Sequence, residues 1–79
     1  MKYRYIVVHN TYQIENNEQT RFGIAVVSDE GESITILETI SDLTSSFESV
    51  ERLVKLCNKE KLEYIHLNDI VEDFLANIE

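Results

Sequence analysis

Arg21-Phe22-Gly23-Ile24-Ala25-Val26-Val27-Ser28 is the stretch from which the fold can be read. Side chains alternate across a strand. Phe22, Ile24 and Val26 therefore look one way, and Gly23, Ala25 and Val27 the other. The first face is bulky, the second apolar but small, and no Asp, Glu or Lys interrupts either. A strand apolar on both faces belongs in the middle of a sheet. The strands on either side of it, and whatever covers each face, then define the architecture.

Upstream, residues 2–14 are rich in aromatic and β-branched types and read as a long first strand. The polar run Glu15-Asn16-Asn17-Glu18 follows, and Asn tolerates the positive φ of tight hairpin turns. A two-residue Asn16-Asn17 turn sets Thr11 against Phe22, His9 against Ile24 and Val7 against Val26. Downstream, Asp29-Glu30-Gly31 suits a three-residue hairpin loop with Gly in the left-handed position. Glu32 and a strand from Ser33 to Ile40 follow. That loop pairs Val26 with Ile34 and Ile24 with Ile36, gathering Val7, Ile24, Val26, Ile34 and Ile36 on one face. A two-residue Glu30-Gly31 turn flips every side chain of the third strand. The three-residue loop is preferred because it groups the apolar residues.

Beyond Leu43 the period changes. Ser45 with Glu48 forms a capping box, and Phe47, Val50, Leu53, Val54 and Cys57 recur at helical spacing up to about Glu60. Glu51 and Lys55 form an i,i+4 pair in the favourable order, as do Glu48 and Arg52. A second helix reads from Leu67 to Ile78, striped by Leu67, Ile70, Val71, Phe74, Leu75 and Ile78. Ile65 with Ile70 suits a hydrophobic staple, which places His66 at the cap. Asp69 in the first turn suits the helix dipole. The order is β-β-β-α-α in one α+β domain spanning residues 1–79: a three-stranded antiparallel meander with two helices packed on it.

Ile40-Ser41-Asp42, Val50-x-x-Leu53-Val54-x-x-Cys57-Asn58 and His66-Leu67-x-Asp69-x-x-Glu72-Asp73-Phe74 together resemble a family of short bacterial proteins of unknown function. The similarity is best over roughly residues 38–75. The resemblance implies a small, stand-alone bacterial cytoplasmic protein and lends no activity.

Composition narrows the function. The 79 residues carry 15 acids against 7 bases, a formal net charge of −8 that repels nucleic acid backbones and anionic lipid. One cysteine, Cys57, excludes an internal disulfide framework and a cysteine-based zinc site. No run approaches the ~20 apolar residues of a transmembrane helix, and nothing near Met1 resembles a signal peptide. The expected setting is cytoplasmic.

The candidate chemistry is sparse. His66, Asp69 and Asp73 share one helix edge, where metal ligation or acid–base work is conceivable. Capping and dipole compensation account for them more simply. His9 falls on the core face, where a hydrogen-bonded structural histidine is expected. Cys57 in the inward stripe behaves as a small hydrophobe. Tyr3, Tyr5 and Tyr12 with Lys2 and Arg4 suggest a stacking platform for single strands, but the charge balance makes them strand formers covering core edges. There is no phosphate loop and no nucleophile elbow. No catalytic, cofactor or metal residue is assigned.

What remains is the second sheet face, with Ile6, Val8, Ala25, Val27 and Leu37 together and Tyr12 and Gly23 beside them. Short connections put both helices on the Ile24–Val26 face, so this one is left as an apolar patch, large for a monomer. The reading is a non-catalytic, self-associating protein-interaction module, dimeric through that face, with no nucleic acid or membrane partner. A ligand-binding or sensory domain with a closed pocket is the alternative. A third is an acidic inhibitor mimicking nucleic acid, with one continuous acidic face.

Overall fold

The computed structural model describes residues 3–31 and 33–78, the last of them without its side chain. Lys2, Glu32 and the Ile78 end of the second helix stripe thus lie outside the described residues. Strands β1 (Tyr3–Ile14), β2 (Asn17–Ser28) and β3 (Thr35–Thr44) form an antiparallel sheet in the order β1-β2-β3. Helices α1 (Phe47–Lys59) and α2 (Leu67–Ile78) follow, the second entered through a 3-10 turn at Tyr64–His66. The α+β meander with two helices expected from the hydrophobic pattern is the observed fold, with Arg21–Ser28 in its central strand.

The first hairpin turns one residue earlier than the sequence suggests. Glu15 (φ 46°) and Asn16 (φ 69°) both lie in the left-handed region, the signature of a type I′ turn. Ile14 then opposes Asn17, Val7 opposes Ile24 and Tyr5 opposes Val26. The expected pairs Thr11–Phe22, His9–Ile24 and Val7–Val26 are each displaced by two positions. An even shift preserves the side-chain period, so both faces keep their residues. His9 moves from the core to a position opposite Phe22, where it is exposed.

The third strand departs further. It begins at Thr35 after a longer connection, and pairs Ile24 with Ile40 and Val26 with Glu38. Ile34 therefore lies outside the ladder. Between Val26 and Val27 the register shifts, because Val27 opposes Ile36 and leaves Leu37 as an extra residue. Such a bulge re-aims the side chains on either side of it. Leu37 packs against the helix-side core, while Ile36, opposite Val27, stays 64 % exposed. The expected Val26–Ile34 and Ile24–Ile36 pairs are thereby overturned, and Leu37 leaves the face assigned to it.

A second irregularity lies between Phe22, opposite Thr44, and Ile24, opposite Ile40. Gly23 alone faces the Ser41–Leu43 segment, where Asp42 adopts φ 58°. A Cβ on Gly23 would lie 2.9 Å from Ser41 Cα and nearer still to the Ile40 carbonyl oxygen. The β3 backbone thus rides over the small face of β2 at this point.

The core lies between the sheet and the helices. Tyr5, Ile24 and Val26 meet Val50, Leu53, Val54 and Cys57 of α1 and Leu67 and Val71 of α2. Ser46, not Ser45, caps α1, its hydroxyl accepting from the Ser49 N–H at 3.3 Å. At the other end Lys61 N–H donates to Asn58 O and Leu62 N–H to Cys57 O, a Schellman closure with Lys61 at φ 50°. His66 does not cap α2. It lies inside the preceding 3-10 turn, its N–H donating to Glu63 O at 3.0 Å, and extended Glu63 holds the N-cap position of that turn without a side-chain bond. Ile65, 75 % exposed, makes no staple.

Candidate interaction surface

Both helices pack against the Tyr5–Ile24–Val26 side of the sheet. Ile6, Val8, Ala25 and Val27 occupy the opposite side, with Ile6 beside Ala25 and Val8 beside Gly23. The structure thus brings together four of the five residues singled out for this surface, and puts Ile36 in the place expected for Leu37.

The surface is less open than its composition suggests. Ala25 and Val27 are 0 % and 2 % exposed, although neither belongs to the helix-side core. Ala25 is flanked by Ile6 and Thr39, and Val27 by Arg4 and Ile36. Arg4 is anchored by Asp29, Nε to Oδ2 at 2.7 Å, and its guanidinium pKa is raised by that hydrogen bond and charge. The β3 bulge over Gly23 adds a further lid. Asp42 at its crest accepts from Tyr12 Oη at 2.6 Å and Asn10 Nδ2 at 3.4 Å, and Arg21 donates to its carbonyl at 3.3 Å. These bonds tie β1 to β3 across β2. The Asp42 hydrogen bond raises the Tyr12 pKa.

What stays accessible runs along β1 and out along the hairpin. Ile6 and Val8 are half-buried, and Tyr12 and Ile14 are 41 % and 53 % exposed. Among the described residues, β2 from Asn17 to Arg21 has β1 as its only ladder partner, so the outer hairpin is a two-stranded ribbon. Its length contributes to principal extents of 44 × 30 × 17 Å.

The outer edge of β1 has its own arrangement. Asn58 at the end of α1 accepts from Tyr5 N–H at 2.8 Å and donates to Tyr5 O at 2.9 Å. Its amide stands where a neighbouring strand would, closing the edge at that residue. The Tyr5 hydroxyl donates to Leu62 O at 2.5 Å, and burial pushes its pKa up to about 12. Nothing in the sequence marked Asn58 for this role; its place beside the Schellman closure is the only local hint.

The remaining candidates are scattered. His66, Asp69 and Asp73 are all exposed, and no group of three or more potential metal ligands occurs among the described residues. Cys57 is 2 % exposed, and burial raises its pKa, which disfavours the thiolate. Tyr3 packs edge-on against Tyr5 and Tyr64, at ring separations of 6.2 and 5.5 Å, rather than presenting a stacking platform. A surface cleft of about 730 Å³ is lined by Tyr3, Arg4, Asp29, Asn58, Lys61 and Leu62 among others. An apolar groove of about 390 Å³ separates α1 from α2 beside Leu53, Leu56, Ile70 and Phe74. Among the described residues no helix is long and apolar enough to cross a membrane.

Fold and surface together define a small α+β domain, helices on one side of a curled meander and an apolar strand surface on the other. The chain belongs to a family of unknown function (DUF6514), whose pattern matches residues 1–77. No curated protein and no solved structure matches it.

Proposed function

We propose that this chain is a protein-interaction module without catalysis, which self-associates through the helix-free side of its sheet. One observation carries the reading. Ile6, Val8, Tyr12 and Ile14 share the side of β1 away from both helices, with Asn10 the one polar residue among them. An apolar line spanning body and arm is more than scattered surface hydrophobes account for. A ligand-binding role fits less well, because Arg4 and Asp29 in the wall of the larger cleft already satisfy each other at 2.7 Å.

Sedimentation velocity across low to high micromolar concentrations tests the proposal. The expected result is a concentration-dependent dimer, which Val8→Lys converts to a folded monomer. A wild-type chain that stays monomeric throughout overturns it.

A further inference from the structure

We infer that two copies join edge to edge along β1, antiparallel about a two-fold axis at Asn10, to make one continuous six-stranded sheet. The inference deepens the self-association just proposed and rests on it.

Hydrogen-bond accounting supplies the first argument. In the β1–β2 hairpin, closed by a two-residue turn after Ile14, the even residues of β1 exchange bonds with β2. The odd residues point their N–H and C=O outward, as the Asn58 contacts at Tyr5 show. Among the described residues nothing meets the outward groups of Val7, His9, Thr11 and Gln13. An unpaired run of this kind is a template for another strand, and proteins normally blunt it with bulges, prolines or charges. Here β1 pairs with β2 without a register break, whereas β3 carries two. Residues 5–14 contain no Asp, Glu, Lys or Arg in a chain of net charge −8. The paired strands themselves therefore set no charged side chain against another, and the carboxylate nearest the axis, Asp42, is held by Tyr12 and Asn10 with Arg21 on its carbonyl.

Register supplies the second. The unpaired run is bounded by the Asn58 clamp at Tyr5 and by the turn at Glu15, and its midpoint is Asn10. A two-fold axis there pairs Val7 with Gln13 of the second copy and His9 with Thr11, and uses every outward group. On the helix-free side the same axis sets Ile6 against Ile14 and Val8 against Tyr12 of the second copy, with Asn10 facing itself. The exposed apolar residues of the arm thus land on the half-buried ones of the body. Asn58 stands at the end of the pairing, where the second hairpin turns away. The two-stranded arm, marginal alone, also gains a third strand.

Cross-linking and a proline scan test the inference. Opposed residues in a non-hydrogen-bonded antiparallel pair have Cβ atoms ~4.5–5.5 Å apart, close enough for a disulfide after slight adjustment. Asn10→Cys in a Cys57→Ala background should give a covalent dimer under mild oxidation, while Ile36→Cys in the same background should not. Thr11→Pro removes an outward N–H that the monomer does not use, a position edge strands tolerate. It should keep the far-ultraviolet dichroism of the wild type and lose the dimer. A dimer that survives Thr11→Pro, or that cross-links through Ile36 and not Asn10, overturns the edge pairing and leaves self-association standing. A wild-type monomer at every concentration overturns both.

Discussion

Gly23→Ala isolates the feature that shapes the sheet. The new Cβ would lie 2.9 Å from Ser41 Cα and closer to the Ile40 carbonyl oxygen. Both are backbone atoms of the β3 bulge, and neither can rotate away as a side chain could. Overpacking of this kind costs about 1–3 kcal/mol, and the upper end applies where backbone must move. Alanine restricts the unfolded chain and returns about 0.4–1 kcal/mol. The expected net loss is therefore about 2 kcal/mol, from a total of about 4–12 kcal/mol for a chain this size. With a urea slope near ~1 kcal/mol/M for a small domain, the midpoint should fall by roughly 2 M. Urea unfolding followed by circular dichroism measures it.

Gly31 is the control, because the chain's other glycine has the opposite problem. It has φ 75° and nothing within 4 Å of the position its Cβ would take. Gly31→Ala should cost about 1 kcal/mol for conformation alone, and Gly31→Asn should recover most of that, since Asn tolerates the left-handed region. Gly23→Asn should recover nothing, because its obstacle is space. If Gly23→Ala unfolds at the wild-type midpoint, β3 does not cross β2 as described.

Asn58→Ala leaves the Tyr5 N–H and C=O without their amide partner, and should lower the unfolding free energy by about 1–3 kcal/mol; Asn58→Asp, which can accept but not donate, should fall between. Lys61→Gly should stabilise by about 1 kcal/mol in the same urea assay, because Lys61 holds φ 50° in the Schellman closure. The Tyr5 phenol has its pKa pushed from 10.0 up to about 12 by burial. Its contribution is complete below pH 10, where both states are protonated. It is lost as pH rises from 10 towards about 12, because the unfolded chain releases that proton first. A thermal-midpoint series from about pH 8 to 12, which spans the reference tyrosine value, should show a steeper alkaline fall in the wild type than in Tyr5→Phe.

The elements were legible because their signals are periodic and local. Val50, Leu53, Val54 and Cys57 recur at helical spacing and are the buried residues of α1. The two apolar faces of residues 22–27 placed β2 in the centre, and the observed strand order agrees. The first register was missed because composition favoured an Asn-Asn turn, whereas the chain uses Glu15 at φ 46°. What compensates that turn lies far away: the shift sets Tyr5 over the core, within reach of Asn58 and Leu62. No local rule weighs a contact across more than fifty residues. The cap of α1 was misplaced by one residue for a simpler reason, since Thr44, Ser45 and Ser46 all have a capping hydroxyl.

The bulges decide what the surface can do, and alternation cannot reveal them. A regular strand from Ser33 to Ile40 puts Ile34 and Ile36 in the core and Leu37 outside. One extra residue exchanges Leu37 and Ile36. The larger bulge over Gly23 has a further consequence. Small residues such as Gly23 and Ala25 leave room for another molecule to approach a sheet face. In the fold Gly23 is used by the chain's own β3, and Ala25 is already 0 % exposed. The middle of the face is therefore filled from within, and the apolar line that remains accessible lies along β1, next to its unpaired edge. Face and edge are then one site: a strand added at the edge brings its own Ile14 and Tyr12 alongside Ile6 and Val8. Backbone pairing sets the register there, and apolar contact follows from it.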